Sequence, residues 1–149
     1  MKVKNEMDLK FLAKSINEGF ARVAVSSFVM GLDPTIAELS DIKTAVSEAV
    51  TNSIVHAYPD KEGLVYINVK IAENSKVIIK VRDKGCGIEN IKKAMEPLYT
   101  TGGEERAGLG FAVMQSFMDK VSVRSTVNKG TTVTMEKAII RRGNNDKQG

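Results

Sequence analysis

The chain has 149 residues, 42% of them apolar and 27% charged, a balance that excludes a disordered segment and suits one domain burying its own core. A single cysteine, Cys86, and a single histidine, His56, exclude a disulfide framework, a Cys/His zinc site and any mechanism needing two histidines. The net charge of +4 lies partly in the tail, where Arg141, Arg142 and Lys147 outweigh Asp146; with no tryptophan and 5% aromatics, no direct nucleic-acid partner is expected.

Alternation of Met7, Leu9, Phe11 and Ala13 with polar residues predicts a strand with one buried face. Asn17 to Met30 reads as a helix stopped by Gly31. Asp33-Pro34 and a Thr35-x-x-Glu38 capping box then open a longer helix, expected to run to Ala57 before Pro59. At ~100° per residue its Leu39, Ile42, Val46, Ala49, Val50, Ile54 and Ala57 form a core stripe. Two alternating strands, 64–72 and 76–82, meet at the Glu73-Asn74-Ser75 turn. A short helix near 89–95 precedes a Gly-rich, charged loop over 97–108 and a helix over 109–120. A hairpin of 121–127 and 131–137 turns at Asn128-Lys129-Gly130. The order βααββααββ implies an α+β two-layer sandwich, a mixed but mostly antiparallel sheet with helices on one face. Residues 1–140 make one domain, and 141–149 read as a frayed tail. Apolar runs of about four residues, such as 111–114, fall far short of the ~20 that span a membrane, and the charged Met1–Glu6 stretch lacks the apolar region of a signal peptide. A cytoplasmic protein without a membrane partner is expected.

Four elements could carry chemistry. Glu48 and Asn52, four apart, share a face of the long helix with Asp41, Ala45 and His56 nearby, and Glu48 lies ~180° from Leu39. A carboxylate there could accept a hydroxyl proton and an amide oxygen could ligate a hard cation, or the face is merely solvated. Asp83-Lys84-Gly85-Cys86-Gly87 follows a strand; its carboxylate could accept from an exocyclic amine while the glycines admit a flat ligand, or this is an ordinary turn. Gly108-Leu109-Gly110 opens a helix after a loop long enough to be a lid, so it could seat phosphate beside Arg106, or simply cap the helix. It is not a Walker A loop. Gly130-Thr131-Thr132, read alone, is a turn glycine followed by strand threonines.

In this order the four resemble the Bergerat-fold ATPase/kinase superfamily of gyrase, Hsp90, MutL and the histidine kinases, over residues 6–137. The resemblance implies ATP and Mg²⁺ as ligands, Glu48 as general base, Asn52 as Mg²⁺ ligand and Asp83 as adenine reader. It implies that Gly85 and Gly87 shape the pocket, that Gly108, Leu109 and Gly110 hold phosphates, that Thr101 and Arg106 reach the nucleotide from the lid, and that Thr132 sits near the adenine. The chain lacks the transducer domains of the larger members and a phosphoacceptor helix pair, and His56 is read as a packing or polar-face residue. It is similar to the stand-alone serine-kinase anti-sigma branch. The strings Lys4-Asn5-Glu6-Met7, Phe20-Ala21-Arg22-Val23, Leu32-Asp33-Pro34-Thr35, Ser47 to Asn52 and Pro97 to Thr101 resemble its sporulation members more than its general-stress members. That implies a sporulation sigma factor and an anti-anti-sigma protein as partners, the latter a serine substrate. It also implies a homodimer, with Phe20 and Val25 near the dimer and partner surfaces and Arg22 as a partner contact. Alternatives are a nucleotide-gated binding module without kinase activity, the general-stress kinase, or an ATP hydrolase without a protein substrate.

Overall fold

The structure, a computed structural model, describes residues 1–59, 61–95 and 103–140, and for 103–109 the backbone only. Strand β1 (Val3–Leu12) leads into helix α1 (Ile16–Val29) and a 3₁₀ turn, Met30–Leu32. Helix α2 (Ile36–Asn52) follows, and both hydrogen bonds of the Thr35/Glu38 capping box form at its start. Strands β2 (Leu64–Ala72) and β3 (Lys76–Asp83) come next, then α3 (Ile91–Met95), α4 (Gly103–Phe117), β4 (Lys120–Thr126) and β5 (Gly130–Ala138).

The sheet order is β1-β2-β3-β5-β4, and every neighbouring pair is antiparallel. The expected mixed sheet is therefore wholly antiparallel. Two of the four pairs are closed by tight turns, at 73–75 and 127–129, which reverse the chain directly. Val65, Ile67 and Val69 of β2, Val77, Ile79 and Val81 of β3, and Val133 and Met135 of β5 face Val25, Val29, Ile42, Val46, Val50, Phe111 and Met114 of the helices. The other sheet face, with Tyr66, Asn68, Lys80 and Arg82, is left open. Among the described residues no helix is long and apolar enough to cross a membrane.

Three expectations change. The last turn of the long helix, Ser53–Ala57, widens to a π turn rather than continuing as α-helix. Helix α4 starts at Gly103, not Leu109, and ends at Phe117. The helix-forming run Glu104-Glu105-Arg106-Ala107, with its acids in the first turn, outweighs a cost of about 1 kcal/mol per interior glycine. Ala45 and Val25 are fully buried, so Val25 is core and not surface, while Phe20 stays half-exposed with its ring edge-on to Phe11. The tail 141–149 and Thr101 lie outside the described residues.

Candidate nucleotide site

Helix α2 places Glu48 and Asn52 one turn apart, on a flank that α4 partly covers; both are half-buried. The facing position on α4 is Gly110. A methyl group there would lie 3.2 Å from Asn52 Nδ2 and 3.3 Å from both Asn52 Oδ1 and Glu48 Oε2. The missing side chain is thus what lets a carboxylate and an amide reach the helix surface. Asn52 Nδ2 is fully buried and has no hydrogen-bond partner among the described residues, a costly state for a donor. An amide oxygen beside a carboxylate is a hard-oxygen donor set, and a ligand entering the notch would find the amide nitrogen without a partner among the described residues. No group of three or more His, Cys, Asp or Glu side chains able to hold a metal occurs among the described residues.

The second cluster is built around Asp83, the last residue of β3 and buried. Its Oδ1 accepts the backbone N–H of Gly85 at 3.0 Å and that of Thr131 at 3.2 Å; its Oδ2 accepts the Ser53 hydroxyl at 3.1 Å. Burial pushes its carboxyl above the usual carboxylate range, and these three donors offset part of that shift. Ser53, absent from the sequence reading, arrives through the first position of the π turn. Its signal was a hydroxyl at the end of an otherwise apolar core stripe, next to Asn52.

The loop after Asp83 is clamped on both sides. Cys86 N–H donates to the Ala57 carbonyl at 2.9 Å, and any Cβ on Gly85 would collide with that same peptide. On the other side, Asn128 N–H donates to the Cys86 carbonyl at 2.7 Å and Ile88 N–H to the Ser125 hydroxyl at 2.7 Å. Tyr58 ties the base of the loop, its hydroxyl donating to the Leu64 carbonyl and accepting Lys84 N–H, each at 2.7 Å. The backbone loop and the Asp83 seat therefore form one fixed platform.

The structure brings Glu48, Asn52 and Gly110 together, and gathers Asp83, Gly85 and Ser53 into the second cluster. Gly87 closes the loop against the β4–β5 turn. Two assignments are corrected. Thr132 points to the open sheet face beside Arg82, whereas Thr131 is buried and meets Asp83 through its backbone N–H. The strand alternation decides this, because neighbouring residues face opposite ways. Gly108 and Leu109 fall in the second turn of α4 rather than at its N-terminus, so their N–H groups serve the helix ladder. Arg106 lies in the first turn of α4, where only the backbone is described. Arg22 pairs with Glu18 at 3.6 Å, and Glu18 also accepts the Ser47 hydroxyl at 2.7 Å, linking α1 to the turn that carries Glu48.

Residues 14–137 match the family described as histidine kinase-like ATPase domain. A protein called anti-sigma F factor from Caldanaerobacter subterraneus subsp. tengcongensis is 58% identical over 142 residues, covering 95% of this chain and 99% of the relative. Proteins of the same name from Clostridium acetobutylicum and Geobacillus thermodenitrificans are each 56% identical, covering 91% and 93% of this chain and 94% and 96% of their own. Among solved structures, the RsbU and RsbW domains of a Mycobacterium tuberculosis protein superpose with a TM-score of 0.69 at 17% identity, over 93% of this chain and 33% of that one. The histidine kinase domain of a blue-light activated kinase from Erythrobacter litoralis gives 0.55 at 18% identity, over 82% and 61%. These two likenesses bear on the fold alone, that of a Bergerat-type ATP-binding sandwich. With its sequence matched nearly end to end, the chain belongs to the anti-sigma F factor family of histidine kinase-like ATPase domains.

Proposed function

We propose that this chain is an ATP-dependent anti-sigma factor that holds the sporulation sigma factor sigma-F inactive and phosphorylates a serine of its anti-anti-sigma protein. The observation that carries the kinase reading is the notch at Gly110, where Glu48 Oε2 and the uncommitted amide of Asn52 converge. ATP is the nucleotide that an ATPase domain implies. Glu48 would take the proton of the partner's serine hydroxyl as that oxygen bonds the γ-phosphorus and the bond to the β-phosphate oxygen breaks, releasing ADP. Asn52 would hold Mg²⁺ through Oδ1, and bound Mg²⁺ would neutralise charge on the phosphates. Asp83, with Ser53 and Gly85 fixing its rotamer, would accept a hydrogen bond from the adenine amine. Thr101 and Arg106 are proposed to contact the nucleotide, and Gly110 to border its phosphate side.

A homodimer is proposed on the exposed side of α1, where Ile16, Phe20, Val23 and Met30 form an apolar stripe at helical spacing. Arg22, half-exposed on the same helix, is the proposed partner contact. The kinase reading is tested by incubating the protein with γ-labelled ATP, Mg²⁺ and the anti-anti-sigma partner. Label on a partner serine, absent with Glu48→Gln, supports it. ATP-dependent capture of sigma-F without label would leave a nucleotide-gated binder instead.

A further inference from the structure

The open face of the sheet carries charge in an uneven way. In strand register, Lys10 of β1 stands opposite Tyr66, Tyr66 opposite Arg82, Arg82 opposite Thr132, and Thr132 opposite Arg124 of β4. One cross-strand row thus holds Lys10, Arg82 and Arg124 and no acid. The next row, Asp8, Asn68, Lys80, Thr134 and Ser122, is balanced, as is the one beyond it, where Glu6 and Glu136 match Lys70 and Lys120. Lys84 and Lys129 extend the positive end, lining one groove with Arg82 and Arg124, a groove that Asp83 also borders. Among the described residues none of these five cations has a carboxylate at ion-pair distance; the ion pairs of the domain involve other side chains. Asp83, the nearest acid in sequence, is buried on the helix side with its oxygens already bonded.

We infer that this row is a docking surface for an acidic, extended segment of a partner protein, separate from the nucleotide site across the sheet. Charge complementarity favours such a segment: unpaired cations on a hydroxyl- and amide-bearing face attract carboxylates. Spacing favours it too. Lys10, Arg82 and Arg124 are each two strands apart, or about 9.6 Å at the usual strand separation. A polyproline-type segment advances about 9.3 Å in three residues and returns the same face, so an acid at every third position meets each cation in turn. The same row disfavours nucleic acid. Tyr66, the aromatic ring of this row, is covered by the Arg82 guanidinium at 4.4 Å and the Lys84 ammonium at 5.1 Å, which leaves its face unavailable for base stacking. Arg82 makes no ion pair among the described residues, so its guanidinium donors are available to a bidentate carboxylate.

The test is fluorescence anisotropy of the full chain with a labelled peptide of Glu-Pro-Pro repeats, with a labelled oligouridylate run in parallel. The expected result is saturable peptide binding that weakens steeply with salt and falls about tenfold or more in Arg82→Gln/Arg124→Gln, while Lys14→Gln, on a loop elsewhere, leaves it unchanged. Arg124→Gln alone, which disturbs no aromatic contact, should weaken it in the same direction, and an unchanged circular dichroism melt excludes unfolding as the cause. ATP binding should be the same in all variants, so loss of the kinase reading would not touch this one. Absence of peptide binding, binding indifferent to Arg82 and Arg124, or tighter binding of the oligouridylate through the same row would each overturn the inference.

Discussion

The two ends of the candidate site are built on opposite principles. Around Asp83 most of the bonding is already made: two backbone N–H groups on Oδ1 and a hydroxyl on Oδ2 hold the carboxylate, leaving Oδ2 one acceptor site, and the loop that follows is pinned on both sides. Around Glu48 and Asn52 little is committed; an amide nitrogen is buried without a partner among the described residues, and a glycine keeps space open. A base-recognition end gains from rigidity, because a fixed acceptor discriminates by leaving the wrong ligand unpaired. A phosphate end must take up a cation and developing charge, so its groups stay uncommitted in the protein alone.

The largest test of that contrast is Glu48→Gln. It should lower phosphoryl transfer by about 10²–10⁴-fold while the ATP dissociation constant stays within about twofold, measured by labelled transfer and calorimetry side by side. A parallel drop in affinity would make Glu48 part of binding rather than chemistry. Asn52→Ala should weaken Mg²⁺-dependent ATP binding by roughly a hundredfold, yet leave the thermal midpoint unchanged or raised, since it deletes an unpaired buried amide. A clear loss of stability would mean that the amide serves the fold.

Asp83→Asn should cost about 1–3 kcal/mol of ATP affinity, with little selectivity left for adenine over guanine nucleotides. The carboxyl also sets a pH dependence. Because burial raises its folded value above the unfolded one, the stability it contributes is complete below the usual aspartate range. It is then lost as pH rises through the raised value, so Asp83→Asn should flatten the stability profile there. Denaturant melts across pH compare the two, and parallel profiles would refute the assignment. Smallest are the two threonines. Thr131→Val removes the 2.8 Å hydroxyl contact with Ser125 and should cost about 1 kcal/mol of stability, whereas Thr132→Val, on the open face, should stay within about 0.5 kcal/mol and leave ATP binding intact. Weakened ATP binding in Thr132→Val would return that residue to the nucleotide side.

Much of this was legible in the sequence. The Thr35/Glu38 box marked the start of α2, and alternation in β2 and β3 gave strand bounds within a residue, because both signals are local. The spacing of Glu48 and Asn52 placed them on one helix face, but not what covers that face; Ala45 is buried because α4 packs there, a tertiary fact. The start of α4 was misjudged because glycines were weighed above the helix-forming acids that precede them. Thr131 and Thr132 were exchanged since a motif fixes a position only to within a residue, while a strand assigns each residue a face. Ser53 was missed because its value comes from Asp83, thirty positions along the chain.

That separation also bears on how the protein comes apart. Asp83 is bonded by residues 30 and 48 positions distant, so the proposed adenine seat exists only after α2 and the β3–β5 pair have docked. Contacts of such long sequence separation form late in folding. An adenine nucleotide held there should therefore slow unfolding in proportion to its binding energy and leave the refolding rate nearly untouched.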